Sequence, residues 1–384
     1  MGKFKKKIVH ICMTQYSDGW TYQENSLSKY HKIMGLDVTI ITSMYCYRQG
    51  KLVKDDKKEF YDVNGNRVIR LEIKKTGIMK KTPIYLDFYE TLEEINPDII
   101  FSHGCQYIDI KYVAKYMKMH PDTQLFVDNH ADFSNSATNW ISRYILHQCI
   151  WRYCAKKIEK YTTKFWGVLP ARVEFLTDVY NIPKEKCDLL VMGADDELID
   201  KMGTVEKRNS IRKKYNITED DFLIVTGGKM DKAKAQVLLL MEAVCNLEKN
   251  VKLLIFGSID CEIEKRMEKW LKDGKIYVAG WISPEESYSF FSAADLVCFP
   301  GRHSVFWEQV AGQGIPMIVK YWDGVTDIDC QGNVKFLYED SAEEIEKTIM
   351  EIRQDENYYM MKRKAEEVQM QFRYSFIAQK SIQK

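Results

Sequence analysis

Two series of short β-branched runs, separated by longer helical patterns, pass through the 384 residues. The first falls at 7–12, 37–42, 68–72, 98–102, 124–128, 165–168 and 187–191, with helical stretches such as 22–34 and 142–161 between. The second falls at 222–226, 252–256, 276–278, 296–299, 316–319 and 336–337. Its helical patterns are 235–247, 263–272, 284–292, 307–313 and 343–355. Apolar strands alternating with helices build β-α-β units and a mostly parallel sheet. At roughly 100–200 residues per domain, the length divides into two such sheets. Met192-Gly193-Ala194-Asp195-Asp196 lies between the series and reads as a linker. The expected architecture is α/β: two doubly wound, Rossmann-like domains, 1–194 and 195–364, facing a central cleft. A helical tail at about 365–384 packs back on the first domain or on the other half. Ligands of such sheets sit at the carboxyl ends of the strands, and with two domains the cleft is the natural site.

Composition removes several function classes. The 56 Lys+Arg and 55 Asp+Glu nearly cancel, and general nucleic-acid binding needs excess cationic charge. No apolar run reaches the roughly 18–20 residues that span a bilayer. The basic start, Lys3 and Lys5 to Lys7, leads into the short run 8–12 without a small-residue cleavage site, so it reads as a first strand and not a signal peptide. The ten cysteines contain no Cys-x-x-Cys pair and no clustered zinc ligands. Reduced, buried thiols in a cytoplasmic protein without a metal are the expectation.

Two segments carry chemistry. Gly227-Gly228-Lys229-Met230-Asp231-Lys232-Ala233-Lys234-Ala235 follows one strand run and opens a helix. A strand-to-helix turn of Gly and Lys offers backbone N–H groups and point charges to an anion. The plain alternative is a solvated basic loop. Pro300-Gly301-Arg302-His303-Ser304-Val305-Phe306-Trp307-Glu308 runs from another strand into a short helix. Glu308 there either favours the helix start or accepts both hydroxyls of a ribose. The backbone N–H groups of Ser304, Val305 and Phe306 are expected to face phosphates.

Together these segments resemble the retaining GT-B glycosyltransferases of family 4. That family carries Gly-Arg-Leu-x-x-x-Lys-Gly after the first strand of its C-terminal domain, matched here by Gly228-Lys229-Met230 and Lys234-Ala235. It ends a later motif in Glu-Ala-x-Ala-x-Gly-x-Pro, matched by Glu308 through Pro316. The resemblance implies that Lys229 and Lys234 hold the donor diphosphate and that Glu308 holds the ribose. It implies that the nucleobase packs beside Trp281 and Ile282, in Val278-Ala279-Gly280-Trp281-Ile282. Leu189-Leu190-Val191-Met192-Gly193-Ala194-Asp195 is similar to the family's interdomain segment. Two departures stand out. Pro300 occupies the position eight before Glu308, so the motif's first Glu is absent, with His303, Ser304 and Arg302 as alternatives for it. Lys at 229 keeps the charge of the family's Arg but not its bidentate fork.

In the first half, the loop 14–20 occupies the place of the family's Gly-rich loop and keeps one glycine, Gly19. That residue either approaches the donor phosphate or serves as an ordinary turn glycine. Trp20, Tyr22 and Gln23 either line an acceptor cleft or pack at a helix start. His130, in Asp128-Asn129-His130-Ala131-Asp132, ends a strand run where the family has a histidine that contacts the donor sugar. His103 and Asp132 are weaker candidates. The basic, amphipathic stretch 141–161 and the segment 74–81 are expected either to meet an anionic membrane surface or to form solvated faces.

The resemblance thus implies transfer of a hexosyl or N-acetylhexosaminyl group from a nucleotide-diphosphate sugar, UDP being the expected carrier. The acceptor is a saccharide or lipid-linked saccharide, in cell-surface polysaccharide (capsule) synthesis, at the cytoplasmic face of the membrane. His130, Lys229 and Lys234 are the expected catalytic residues. No Asp-x-Asp motif stands in a suitable loop, so no metal or other cofactor is expected. A non-catalytic partner of the same fold and a UDP-sugar epimerase are the rival readings. A nicotinamide dehydrogenase is disfavoured, because no Gly-x-Gly-x-x-Gly follows the first strand.

Overall fold

The computed structural model describes residues 5–13, 16–48, 51–76 and 83–384. Thr14 and Gln15 of the first loop, the start of the basic N-terminus, and 77–81 of the basic segment lie outside the described residues. Two compact units are present: Met1–Val191 with Ile377–Lys384, and Met192–Phe376.

The first unit holds an eight-stranded sheet. Its strands are β1 (Lys7–Cys12), β2 (Asp37–Ser43), β5 (Glu59–Tyr61), β6 (Arg67–Leu71), β9 (Ile99–His103), β10 (Gln124–Asn129), β11 (Thr162–Gly167) and β12 (Cys187–Leu189). Two small antiparallel pairs lie outside it, β3 (Tyr45–Arg48) with β4 (Lys51–Lys54) and β7 (Ile73–Thr76) with β8 (Pro83–Tyr85). The order is β12-β11-β10-β9-β1-β2-β6-β5, parallel except for the edge strand β5. Ile8, Val9, Ile11, Val38, Ile40, Ile41, Ile100, Phe101, Phe126 and Val127 are all fully buried. Such continuous burial marks strands covered on both faces, and each side chain contributes about 1.5–3 kcal/mol. The antiparallel additions between 45 and 85 were not read from the sequence. Their residues are largely half-buried or exposed, so no apolar period announces them.

The second unit holds β13 (Phe222–Gly227), β14 (Val251–Phe256), β15 (Ile276–Gly280), β16 (Leu296–Phe299), β17 (Met317–Lys320) and β18 (Val334–Leu337). All neighbours are parallel, in the order β15-β14-β13-β16-β17-β18. Chain order reverses between β13 and β16. The loops leaving those two strands therefore diverge to opposite faces and open a crevice at the sheet's carboxyl edge.

The division falls at Val191/Met192, not at 194/195, and the chain returns to the first unit at Ile377, not near 365. The reason is local. Ala194 N donates to Phe372 O at 2.8 Å and Tyr374 N donates to Ala194 O at 3.0 Å. Gly312 packs against the same pair: a Cβ there would stand 2.6 Å from both Ala194 Cβ and Phe372 O. The helix Asp355–Val368 and the turn Gln369–Phe372 thus stay with the second unit.

Candidate functional site

The crevice of the second unit begins where β13 ends. A Cβ on Gly227 would lie 2.2 Å from the Phe256 ring, and one on Gly257 would lie 2.0 Å from Gly228 O. Gly228 and Gly257 adopt φ of +113° and +120°. Only glycine meets both demands. Met230 N donates to Ser258 O at 2.8 Å and Asp260 N to Met230 O at 2.9 Å, so the loop after β13 is held by the loop after β14. Asp231 accepts from Ala233 N at 3.0 Å and caps the short 3-10 turn Lys232–Lys234, which precedes the helix Val237–Asn246.

Lys229 is exposed and paired with Asp231 at 3.2 Å. That pairing holds the Asp231 carboxyl below the usual carboxylate range. Lys234 differs: its ammonium has no hydrogen bond or ion pair among the described residues. Burial lowers its pKa, Asp231 works against that, and the like charge of Lys229 adds to the fall. Both stresses are those an incoming anion relieves.

Across the crevice stands the loop leaving β16. A Cβ on Gly301 would lie 3.5 Å from Lys234 Cα, so the two loops touch. A small hollow there is lined by Thr226, Lys229, Lys234, Pro300, Gly301 and Arg302, among others. Phe306 opens the helix Phe306–Gly312 and covers Gly228, its ring 3.5 Å from where a Cβ on that glycine would stand. It rests on Phe256 and Phe291, with ring centroids at 5.8 and 5.3 Å. An aromatic floor therefore sets the distance between the two loops.

Glu308 is 1% exposed. Its Oε1 accepts from His303 Nε2 at 2.8 Å, whereas its buried Oε2 has no hydrogen-bond partner among the described residues. A buried carboxylate oxygen left unpaired is costly, and a ligand hydroxyl is the donor it lacks. His303 also stands edge-on to Trp307 at 4.9 Å. Of the alternatives for the absent first Glu, His303 is thus already engaged with Glu308. Ser304 is half-buried, Arg302 and Val305 are exposed, and Phe306 N donates to Ser304 Oγ at 3.5 Å. Trp281 is 72% exposed. With half-buried Ile282 it follows Gly280 at the end of β15, whose carbonyl accepts from Gly257 N at 2.7 Å. The structure thus brings Lys229 and Lys234 to one hollow, with Gly228 beside it under the Phe306 ring. Glu308 lies on the adjoining helix outside that lining, and Trp281 and Ile282 lie at the end of β15, beyond β14.

In the first unit, Gly19 has φ +74° and a Cβ there would meet nothing within 4 Å. It answers a turn's left-handed backbone. Trp20 packs on Tyr22 and Tyr47, with centroids 5.0 and 6.1 Å away. Gln23 is 3% exposed and neither amide atom has a partner among the described residues. Asp132 is tied to Arg172 at 3.0 Å and to Ser134, a loop clamp. His130 follows β10, with its Nε2 3.5 Å from Asp128 Oδ2. His103 ends β9 and places Nδ1 2.8 Å from the same Asp128 oxygen. Asp128 was not singled out in the sequence. Its signal was an acidic residue at the end of an otherwise apolar strand run.

Among the described residues, no group of three His, Cys, Asp or Glu is placed to hold a metal, and no helix is long and apolar enough to cross a membrane.

Residues 207–368 match the family described as glycosyl transferases group 1. Among curated proteins no relative is matched. Among solved structures, a glycosyltransferase from Rickettsia africae superposes with a TM-score of 0.70 at 15% identity, covering 99% of this chain and 97% of that one. Alr3699/HepE of Anabaena, in complex with UDP and glucose, gives 0.64 at 12% identity, covering 98% of each. Sucrose-phosphate synthase from Thermosynechococcus elongatus gives 0.64 at 17% identity, covering 98% and 97%. The fold is GT-B, with two Rossmann-like domains, and together with the group 1 match over residues 207–368 it supports a glycosyltransferase enzyme.

Proposed function

We propose that this protein transfers a hexosyl or N-acetylhexosaminyl group from a UDP-sugar to a saccharide or lipid-linked saccharide, with retention, in cell-surface polysaccharide synthesis. The observation that carries this reading is the half-buried, unpaired Lys234 beside Lys229 at the switch point. It is a site for a diphosphate whose charge grows as the sugar–oxygen bond breaks, and preorganised cations stabilise that charge. Glu308 Oε2 takes a ribose hydroxyl, and His130 contacts the donor sugar, the role the family resemblance implies. HepE's UDP and glucose support a UDP-linked donor.

The acceptor oxygen attacks the anomeric carbon on the face the diphosphate leaves. Its proton passes to a leaving phosphate oxygen as the new C–O bond forms and the old one breaks. Two ammonium groups carry the charge compensation, so turnover is independent of divalent metal. Trp140, Tyr144 and Tyr153 are exposed at 66%, 43% and 64% on and beside the π-helical stretch Ile141–Trp151 and the helix Arg152–Glu159. With Arg143, Lys156 and Lys157 they support contact with an anionic membrane surface carrying the acceptor.

The test is incubation with UDP-sugars, with and without saccharide acceptors, in EDTA and with anionic vesicles. Transfer with retained configuration in EDTA is expected. Epimerised sugar without acceptor, or binding with no turnover on any acceptor, would replace this reading with one of its rivals.

A further inference from the structure

Behind His130 the first unit buries a string of imidazoles. His31 Nε2 lies 3.0 Å from Ala378 O and from Ser381 Oγ. His31 Nδ1 lies 2.9 Å from His10 Nε2, and His10 Nδ1 lies 3.0 Å from His103 Nε2. His103 Nδ1 reaches Asp128 Oδ2 at 2.8 Å, and that oxygen is 3.5 Å from His130 Nε2. His10, His31 and Asp128 are fully buried, and His130 is 42% exposed.

The protons on this string can be counted. A carbonyl only accepts, so His31 Nε2 carries hydrogen. A neutral His31 then accepts at Nδ1, which makes His10 Nε2 a donor. A neutral His10 accepts at Nδ1, which makes His103 Nε2 a donor. The carboxylate of Asp128 only accepts, so His103 Nδ1 donates as well. Both nitrogens of His103 are protonated. Three neutral rings cannot fill these contacts, and one extra proton is required.

We propose that Asp128 and a doubly protonated His103 are positioning residues for His130, and that His10 and His31, anchored on the carbonyl of Ala378, hold His103 in that form. The part concerning transfer rests on the function proposed above. Asp128 orients the Nε2 edge of His130 and leaves Nδ1 for the ligand. The cation on His103 shares the Asp128 charge that His130 also faces. The groups facing His103 agree with the count. Burial works against its charge, but Asp128, whose carboxylate accepts from its Nδ1, favours it, and its pKa stands well above the ordinary value. Burial keeps the Cys12 thiol protonated, so Asp128 is the anion. Burial likewise resists ionisation of Asp128, but His103 and His130 hold its carboxyl below the usual range. Burial and neighbouring rings lower His10, and burial lowers His31 to about 4 despite Ala378.

Imidazole nitrogen-15 NMR on the full chain tests this without any activity. At pH 7.5 His103 should show two protonated nitrogens, and His10 and His31 one each, at Nε2. A singly protonated His103 overturns the proposal. In His103→Gln, His130 should carry more imidazolium at pH 7 than in the wild type, because an opposite charge within about 4–6 Å favours the charged form; unchanged protonation overturns its link to His130. If that variant does not fold, the wild-type pattern still decides the count, and Asp128→Asn, expected to alter the His130 signals, decides the link. In transfer assays Asp128→Asn should lower kcat about 10- to 100-fold with donor KM little changed. The double variant with His130→Ala should be no worse than His130→Ala alone, and additive losses overturn the positioning role. Absence of transfer in the wild type would refute the proposed function and leave the NMR result standing.

Discussion

The two units place charge in opposite ways. In the second, the chemical groups come from two short stretches of sequence, 227–234 and 300–308, and they are left unfinished: among the described residues the Lys234 ammonium has no hydrogen bond or ion pair and Glu308 Oε2 no donor. In the first, the groups come from positions 10, 31, 103, 128 and 378, and they complete one another inside the fold. An unfinished buried charge is a demand on a ligand, whereas a paired one is a demand on the fold. The second unit therefore looks outward for an anion, and the first prepares a histidine from within.

The sharpest test of that contrast is Lys234→Ala. Transfer should fall about 10²–10³-fold, as when one preorganised charge-stabilising group is removed, with urea unfolding little changed. Full turnover would return Lys234 to a surface role.

The pH dependence of stability should belong to the first unit, which holds every histidine but His303. Burial lowers His31 to about 4, against an unfolded value of about 6.5. Between these values the unfolded chain binds more protons. The contribution is therefore complete above about pH 6.5 and is lost as pH falls toward 4, on the order of 3 kcal/mol. His103 has the opposite sign: its raised pKa favours folding below about pH 6.5 and fades as pH rises through the folded value. Urea titrations at pH 4.5, 5.5 and 7 should show the acid loss, reduced in His31→Gln; equal slopes in both proteins would detach the loss from this string.

Glu308→Ala should weaken UDP binding about tenfold to a hundredfold, the range for a hydrogen bond to a charged group of about 1.5–3 kcal/mol. Calorimetry reads it, and unchanged affinity would leave Glu308 as a partner of His303 alone. The smallest effect concerns the scaffold. Gly227→Ala drives a Cβ into the Phe256 ring and should cost about 1–3 kcal/mol as overpacking, read from the urea midpoint. A neutral result would mean the aromatic floor yields.

Much of this was legible from local pattern. The first strand, Lys7–Cys12, and Leu296–Phe299 stand at the expected residues, because strands buried on both faces are near-continuous apolar runs. The helix 142–161 was one pattern in sequence, yet it forms as the π-helical stretch Ile141–Trp151 joined to Arg152–Glu159; an amphipathic face does not specify the winding beneath it. The engagement of His303 with Glu308 was not legible, since spacing left it level with Ser304 and Arg302. Nor was the role of His10, which in sequence is one polar residue inside a strand.

The order of residues alone determined the doubly wound α/β class and the lysine-bearing turn after β13, because both depend on neighbours along the chain: periodicity in one case, glycine and lysine within nine residues in the other. Only the tertiary structure decided which charges stay unpaired and which histidines join. Parallel strands set position 103 beside 128 and within ring contact of 10, and the returning tail supplies a carbonyl from position 378. Proton placement depends on such distances of a few ångströms, and separation along the chain does not encode them.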